Sequence, residues 1–169
     1  VRKQLRQNPN DIKAHFKLGI VYRKLGKDQE AIASYNEAIR IEPDFFNAHL
    51  NLGSTYLDAN QYQEAIVSYK EVIRIKPNVT DAHNNLGIAY TKLDQHKEAV
   101  VSFKEAIRLK PNYADAHNNL GTVYNDLGKY KEAIAEYQEA LRVVPNYTLA
   151  RNNLDQLQQK LINEKSARE

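Results

Sequence analysis

The sequence predicts an all-α fold, a solenoid of antiparallel helix pairs, and three observations carry that prediction. The five prolines, Pro9, Pro43, Pro77, Pro111 and Pro145, stand 34 residues apart. Gly19, Gly53, Gly87 and Gly121 keep the same spacing, as do Tyr22, Tyr56, Tyr90 and Tyr124, and Ala31, Ala65, Ala99 and Ala133. A fixed period of this size marks an array in which each unit buries its apolar face only against its neighbours. The third observation is composition. Six Gly and five Pro in 169 residues, with abundant Ala, Leu, Ile, Glu, Lys and Gln, favour helix over sheet.

Four full units are expected over 12–45, 46–79, 80–113 and 114–147. Residues 1–11 align with the end of a second helix, as in Ile39-Arg40-Ile41-Glu42-Pro43. The chain is therefore expected to start inside a repeat, as a piece of a longer protein would, the alternative being a natural N-terminal cap. In each unit the first helix is expected just after Asn10, Asp44, Asn78, Asn112 or Asn146, whose short polar side chains suit a helix start. It should end near Gly26, Asn60, Asp94 or Gly128, residues that tolerate a left-handed backbone. The second helix carries Ala31-Ile32 or its equivalents and stops before the next proline. It also holds surface pairs: Glu37/Arg40, Glu71/Arg74, Glu105/Arg108 and Glu139/Arg142. Over 148–169 the pattern keeps one apolar stripe, Leu154, Leu157 and Leu161, as a C-terminal capping helix does.

Leu18-Gly19-x-x-Tyr22, Ala31-x-x-x-Tyr35 and Pro43, with their copies in the later units, resemble the tetratricopeptide repeat pattern. The resemblance spans residues 12–147 and implies a right-handed superhelix. Phe103 fills the Tyr35 slot in the third unit. The early Trp of the family is replaced by His15, His49, His83 and His117, and Val72 stands where Ala38, Ala106 and Ala140 stand. Neither departure threatens the fold.

At 100° per residue, Ala14, Leu18, Gly19, Val21, Tyr22 and Leu25 fall on one side of the first helix. Lys13, Phe16, Lys17, Ile20 and Lys24 fall on the other, which the resemblance implies lines a concave ligand groove. On that face Asn51, Asn85, Asn119 and Asn153 form a column, with Asn84, Asn118 and Asn152 beside three of them. Asn is a mediocre helix former, so solvation alone is a poor reason for it. A carboxamide both donates and accepts, so a column of them matches the main chain of an extended peptide. The arrangement resembles the asparagine ladder in the repeat region of O-linked N-acetylglucosamine transferases. The plain alternative is that the amides bond one another or face water. Lys17 and its basic neighbours make one end of the groove positive, and Asp81 and Asp115 make it acidic further on, a polarity that can orient a charged ligand.

Expected peptide-binding residues are thus Asn51, Asn84, Asn85, Asn118, Asn119, Asn153, Asp81, Asp115 and Lys17. The carboxylate-capturing arrangement of some family members is not matched: of Phe16, Ile20, Asn51, Asp81 and Asn85, only Asn51 agrees. The recurring histidines fall on the packed side and too far apart to share a metal ion. Ser34, Ser68 and Ser102 recur, whereas a catalytic nucleophile is singular. No cofactor is expected. With 24 Lys+Arg against 21 Asp+Glu, the balance argues against nucleic acid, and no apolar run reaches the roughly 18 residues needed to cross a bilayer. The absence of cysteine excludes disulfides and fits a reducing compartment, with a cytoplasmic location expected. The sequence points to a non-catalytic scaffold that holds a protein or extended peptide, and its repeat ends allow self-association by end-to-end stacking. The rival reading is the substrate-recruiting part of a larger enzyme such as a glycosyltransferase.

Overall fold

The second helix of each repeat carries a stripe that the fold buries completely. Ala31, Tyr35 and Ala38 are 0% exposed, as are Ala65, Tyr69 and Val72, and the equivalent Ala99, Phe103, Ala106, Ala133, Tyr137 and Ala140 are 2% exposed or less. In the computed structural model, which describes residues 2–167, these stripes lie on α3 (Asp28–Ile41), α5 (Tyr62–Ile75), α7 (His96–Leu109) and α9 (Tyr130–Val143). The first helices are α2 (Ile12–Lys24), α4 (Phe46–Asp58), α6 (Thr80–Lys92) and α8 (Ala114–Asp126). A short α1 (Arg2–Gln7) precedes them and a longer α10 (Thr148–Ser166) follows. There is no strand among the described residues. The chain forms two compact units, Val1–Ala89 and Tyr90–Glu169.

Helices α2, α4 and α8 each meet their partner through a glycine. A Cβ built on Gly19 would lie 2.5 Å from a ring carbon of Tyr35, one on Gly53 3.0 Å from Tyr69, and one on Gly121 2.7 Å from Tyr137. Only a residue without a side chain lets the tyrosine ring pass so close. The expected left-handed stops are present. Gly26, Asn60, Asp94 and Gly128 have φ of 67°, 59°, 57° and 72°. The N–H groups that follow reach back to the last turn, Lys27 to the Tyr22 carbonyl at 2.9 Å and Lys129 to Tyr124 at 2.8 Å.

The helix starts differ from expectation. Asp11 caps α2, its Oδ1 accepting from the Ala14 N–H at 2.9 Å, while Phe45, Tyr113 and Tyr147 occupy the cap positions of α4, α8 and α10 and make no side-chain capping bond. Asn10 and Asp44 lie one residue before the caps of α2 and α4. Both accept from an arginine of the following second helix: Arg40 reaches Asn10 at 3.4 Å, and Arg74 pairs with Asp44. The same arginines hold the Glu37 and Glu71 pairs at 2.9 and 2.8 Å. Asn10 and Asp44 are thus acceptors for the second helix of the pair they introduce rather than caps.

The histidines serve the same turns. His15, His49, His83 and His117 each donate from Nε2 to the proline carbonyl six residues back, at 2.7 to 2.9 Å. Val21 and Leu25 depart from the expected packed side and are 45% and 65% exposed, whereas Thr55, Ala89 and Val123, at the Val21 position of later repeats, are 0% exposed. Helix α4 leans on the full-length α3, but α2 has only the six residues of α1 beside it.

Candidate functional site

The face left over once these stripes are buried lies on the first helices. In the first unit, Lys13, Lys17 and Lys24 are exposed and make no salt bridge among the described residues. Arg23 is paired with Asp58 of the next repeat at 2.7 Å. Phe16 belongs to the packing beneath, its ring centroid 5.1 Å from that of Phe45 and 5.9 Å from that of Tyr35.

Asn51 and Asn85 are half-buried on this face. Asn51 donates to the carbonyl of Asn47 at 2.8 Å, turned back along its own helix. Asn85 instead donates to the hydroxyl of Tyr69 at 3.2 Å, and Ser54 shares the same hydroxyl at 3.1 Å. Burial raises the pKa of Tyr69, so it stays a neutral phenol. The corresponding hydroxyl of Tyr35 is buried without a partner, because Ile20 stands where Ser54 stands.

In the second unit, Asn119 and Asn153 are half-buried in the same helical position. Asn153 donates to Oδ1 of Asn118 at 2.9 Å, joining α10 to α8. The Tyr137 hydroxyl donates to Thr122 at 3.3 Å. Asp115 is exposed, and its Oδ1 accepts from the Tyr147 hydroxyl at 2.6 Å. Burial first, and the carboxylate second, push that phenol well above its usual range.

Asn84 and Asn118, expected on the ligand face, are 4% and 2% exposed. They brace the column instead: Asn84 donates to Asn85 at 3.3 Å and Asn118 to Asn119 at 3.5 Å. Phe16 and Leu50 hold this slot in the first two repeats, and their apolar character was the signal that it is covered. Asn51, Asn85, Asn119 and Asn153 keep partial exposure, and Lys17, Asp81 and Asp115 stand at the exposed rim. Among the described residues no group of three His, Cys, Asp or Glu gathers around one point that could hold a metal, and no helix is long and apolar enough to cross a membrane.

Helix pairs at a fixed period, with a polar, partly exposed face on the first helix of each, define a helical-repeat protein-interaction scaffold. The TPR repeat family profile matches residues 21–58, 53–94 and 89–125, and the tetratricopeptide repeat profile matches 114–147. The chain belongs to the tetratricopeptide repeat family. Solved structures of MamA are similar. One is 26% identical, covering 93% of this chain and 86% of that one with a TM-score of 0.85. Another is 27% identical, covering 84% and 83% with a TM-score of 0.81. MamA from Desulfovibrio magneticus RS-1, at 23% identity over 85% and 81% and a TM-score of 0.80, shares the fold. No curated protein matches the chain.

Proposed function

We propose that this protein is a non-catalytic scaffold that holds an extended peptide or protein segment against the face formed by its first helices. One observation carries the reading: on the first helices of each unit carboxamides recur and stay partly exposed, Asn51 and Asn85 in the first, Asn119 and Asn153 in the second. A carboxamide has two N–H groups and an acceptor oxygen, so the single bonds made by Asn51 and Asn153 leave capacity for a main chain. Lys13, Lys17 and Lys24 give the first unit a preference for acidic ligand side chains, and Asp115 and Asp126 give the second the opposite one.

The test is selection of binders from a displayed library of linear peptides, then calorimetric titration of wild type and the Asn51→Ala, Asn85→Ala double variant. Each lost hydrogen bond is worth roughly 0.5–1.5 kcal/mol, so affinity should fall by about one to two orders of magnitude. The loss should be similar for peptides of different sequence, because the contact is to backbone. Unchanged affinity in the double variant would show that these amides are structural.

A further inference from the structure

We propose that a polar cavity in the second unit, walled by α8, α9 and α10, binds a single peptide unit of an extended main chain. Thr122, Asn125, Tyr137, Asn153, Gln156 and Lys160 line it. The proposal rests on the peptide-binding reading above and gives that peptide an anchoring point at the C-terminal helix.

The cavity measures about 230 Å³. Pockets for metabolite-sized ligands run to roughly 300–1,000 Å³, so the guest here is a small group. The chemistry of the walls selects it. No carboxylate lines the cavity, which leaves nothing to hold a cation. The Thr122 and Tyr137 hydroxyls are bonded to each other at 3.3 Å, and Thr122 also donates to the Asn118 carbonyl at 3.1 Å. They form wall. The ammonium of Lys160 is held at the rim, donating to the Tyr130 hydroxyl at 3.1 Å and lying 4.8 Å over its ring.

Three carboxamides remain, and one of them is unsatisfied. Oδ1 of Asn125 is buried and has no hydrogen-bond partner. Asn153 has committed one N–H to Asn118 at 2.9 Å, and its second N–H is a donor still to be used. Asn153, Gln156 and Lys160 follow one another at helical spacing along α10, so their donors share a face. The cavity therefore offers a buried acceptor that lacks an N–H beside donors that suit a C=O. A peptide unit brings one of each. If the Asn125 carboxamide is turned over, its unsatisfied N–H meets the carbonyl of the same guest, so the match survives either orientation.

The test uses the full chain, isotope-labelled, titrated with N-acetylglycine N-methylamide, which carries two peptide units and no side chain. The side-chain amide signals of Asn125, Asn153 and Gln156 should shift together and saturate. Asn125→Leu should weaken that binding about tenfold, the worth of one hydrogen bond, with no fall in melting temperature. Gln156→Leu, at an exposed position, should weaken it similarly and guards against a folding defect in the first variant. Wild-type affinity in both variants would overturn the site. Shifts confined to Asn51 and Asn85 would overturn it too while leaving the peptide-binding face intact. Saturation by acetate but not by the diamide would reassign the cavity to carboxylates and overturn the proposal.

Discussion

Asn85 donates a 3.2 Å hydrogen bond to the hydroxyl of Tyr69, a residue of the preceding repeat. An amide on the proposed ligand face is thus a fastener between neighbouring helix pairs. Asn85→Ala gains helix propensity but loses this bond, while Tyr69 keeps Ser54 as a partner. The variant should be destabilised by no more than about 1 kcal/mol, as read by urea denaturation. A loss of several kcal/mol would mean that the column is chiefly structural.

Tyr35 and Tyr69 should respond differently to loss of their hydroxyls. Tyr69→Phe removes a bonded group and leaves Asn85 and Ser54 short of a partner, so it should cost roughly 0.5–1.5 kcal/mol. Tyr35→Phe removes a buried hydroxyl that has no partner, and stability should hold or rise by up to ~1 kcal/mol. Phe103 already makes this exchange in the third repeat. Parallel thermal melts of the two variants decide the point, and equal losses would contradict it.

Gly121→Ala places a Cβ 2.7 Å from the Tyr137 ring and 3.2 Å from the Ala133 carbonyl oxygen. Backbone cannot yield as a flexible side chain can, so the variant should lose about 1–3 kcal/mol. Gly128→Ala meets nothing within 4 Å, and its cost comes only from the left-handed backbone at φ 72°, roughly 1–2 kcal/mol. Adding Tyr137→Leu should relieve the first variant and leave the second unchanged, a double-mutant cycle in chemical denaturation being the measurement.

His117 is paired with a carboxylate, whereas Ser34, Ser68 and Ser102 stand at the Glu136 position of the other repeats. Its Nδ1 lies 2.6 Å from a Glu136 oxygen while Nε2 donates to the Pro111 carbonyl at 2.9 Å. The bond to Glu136 raises the imidazole pKa above its usual 6.5, against the opposing effect of burial. A raised folded-state pKa contributes stability in full below the unfolded value and loses it as pH climbs through the folded one. Wild type should therefore exceed Glu136→Gln in stability by about 1 kcal/mol near pH 6, and the gap should narrow by about pH 9. A gap that stays constant across that range would exclude the coupling.

Much of this was legible because it repeats. The glycine, the tyrosine it admits and the left-handed stop recur at one spacing, so their roles follow from geometry shared by every copy. What escaped lies at the edges of helices. Asn84 and Asn118 sit at the border of the outward arc, where the width of an adjoining helix, not the angle along their own, decides exposure. Asn10 and Asp44 looked like caps because capping depends on short polar side chains. Their actual partners, Arg40 and Arg74, lie 30 residues on, beyond any local pattern. The bond from each histidine to its proline carbonyl was hidden for another reason. A residue that replaces an aromatic reads as packing, although the constant interval from proline to histidine was there to be noticed.

The bonds that tie one repeat to the next join residues 30 to 35 positions apart: Arg40 to Asn10, Arg23 to Asp58 and Asn153 to Asn118. Closing such loops is cheap, and chains dominated by near contacts fold in about microseconds to milliseconds. A ribosome adds roughly 5–20 residues per second, so several seconds separate the emergence of successive repeats. Each helix pair can therefore dock on its predecessor long before its successor exists. The chain should leave the ribosome already stacked, with one unfinished apolar edge at a time and each edge covered within seconds of its appearance.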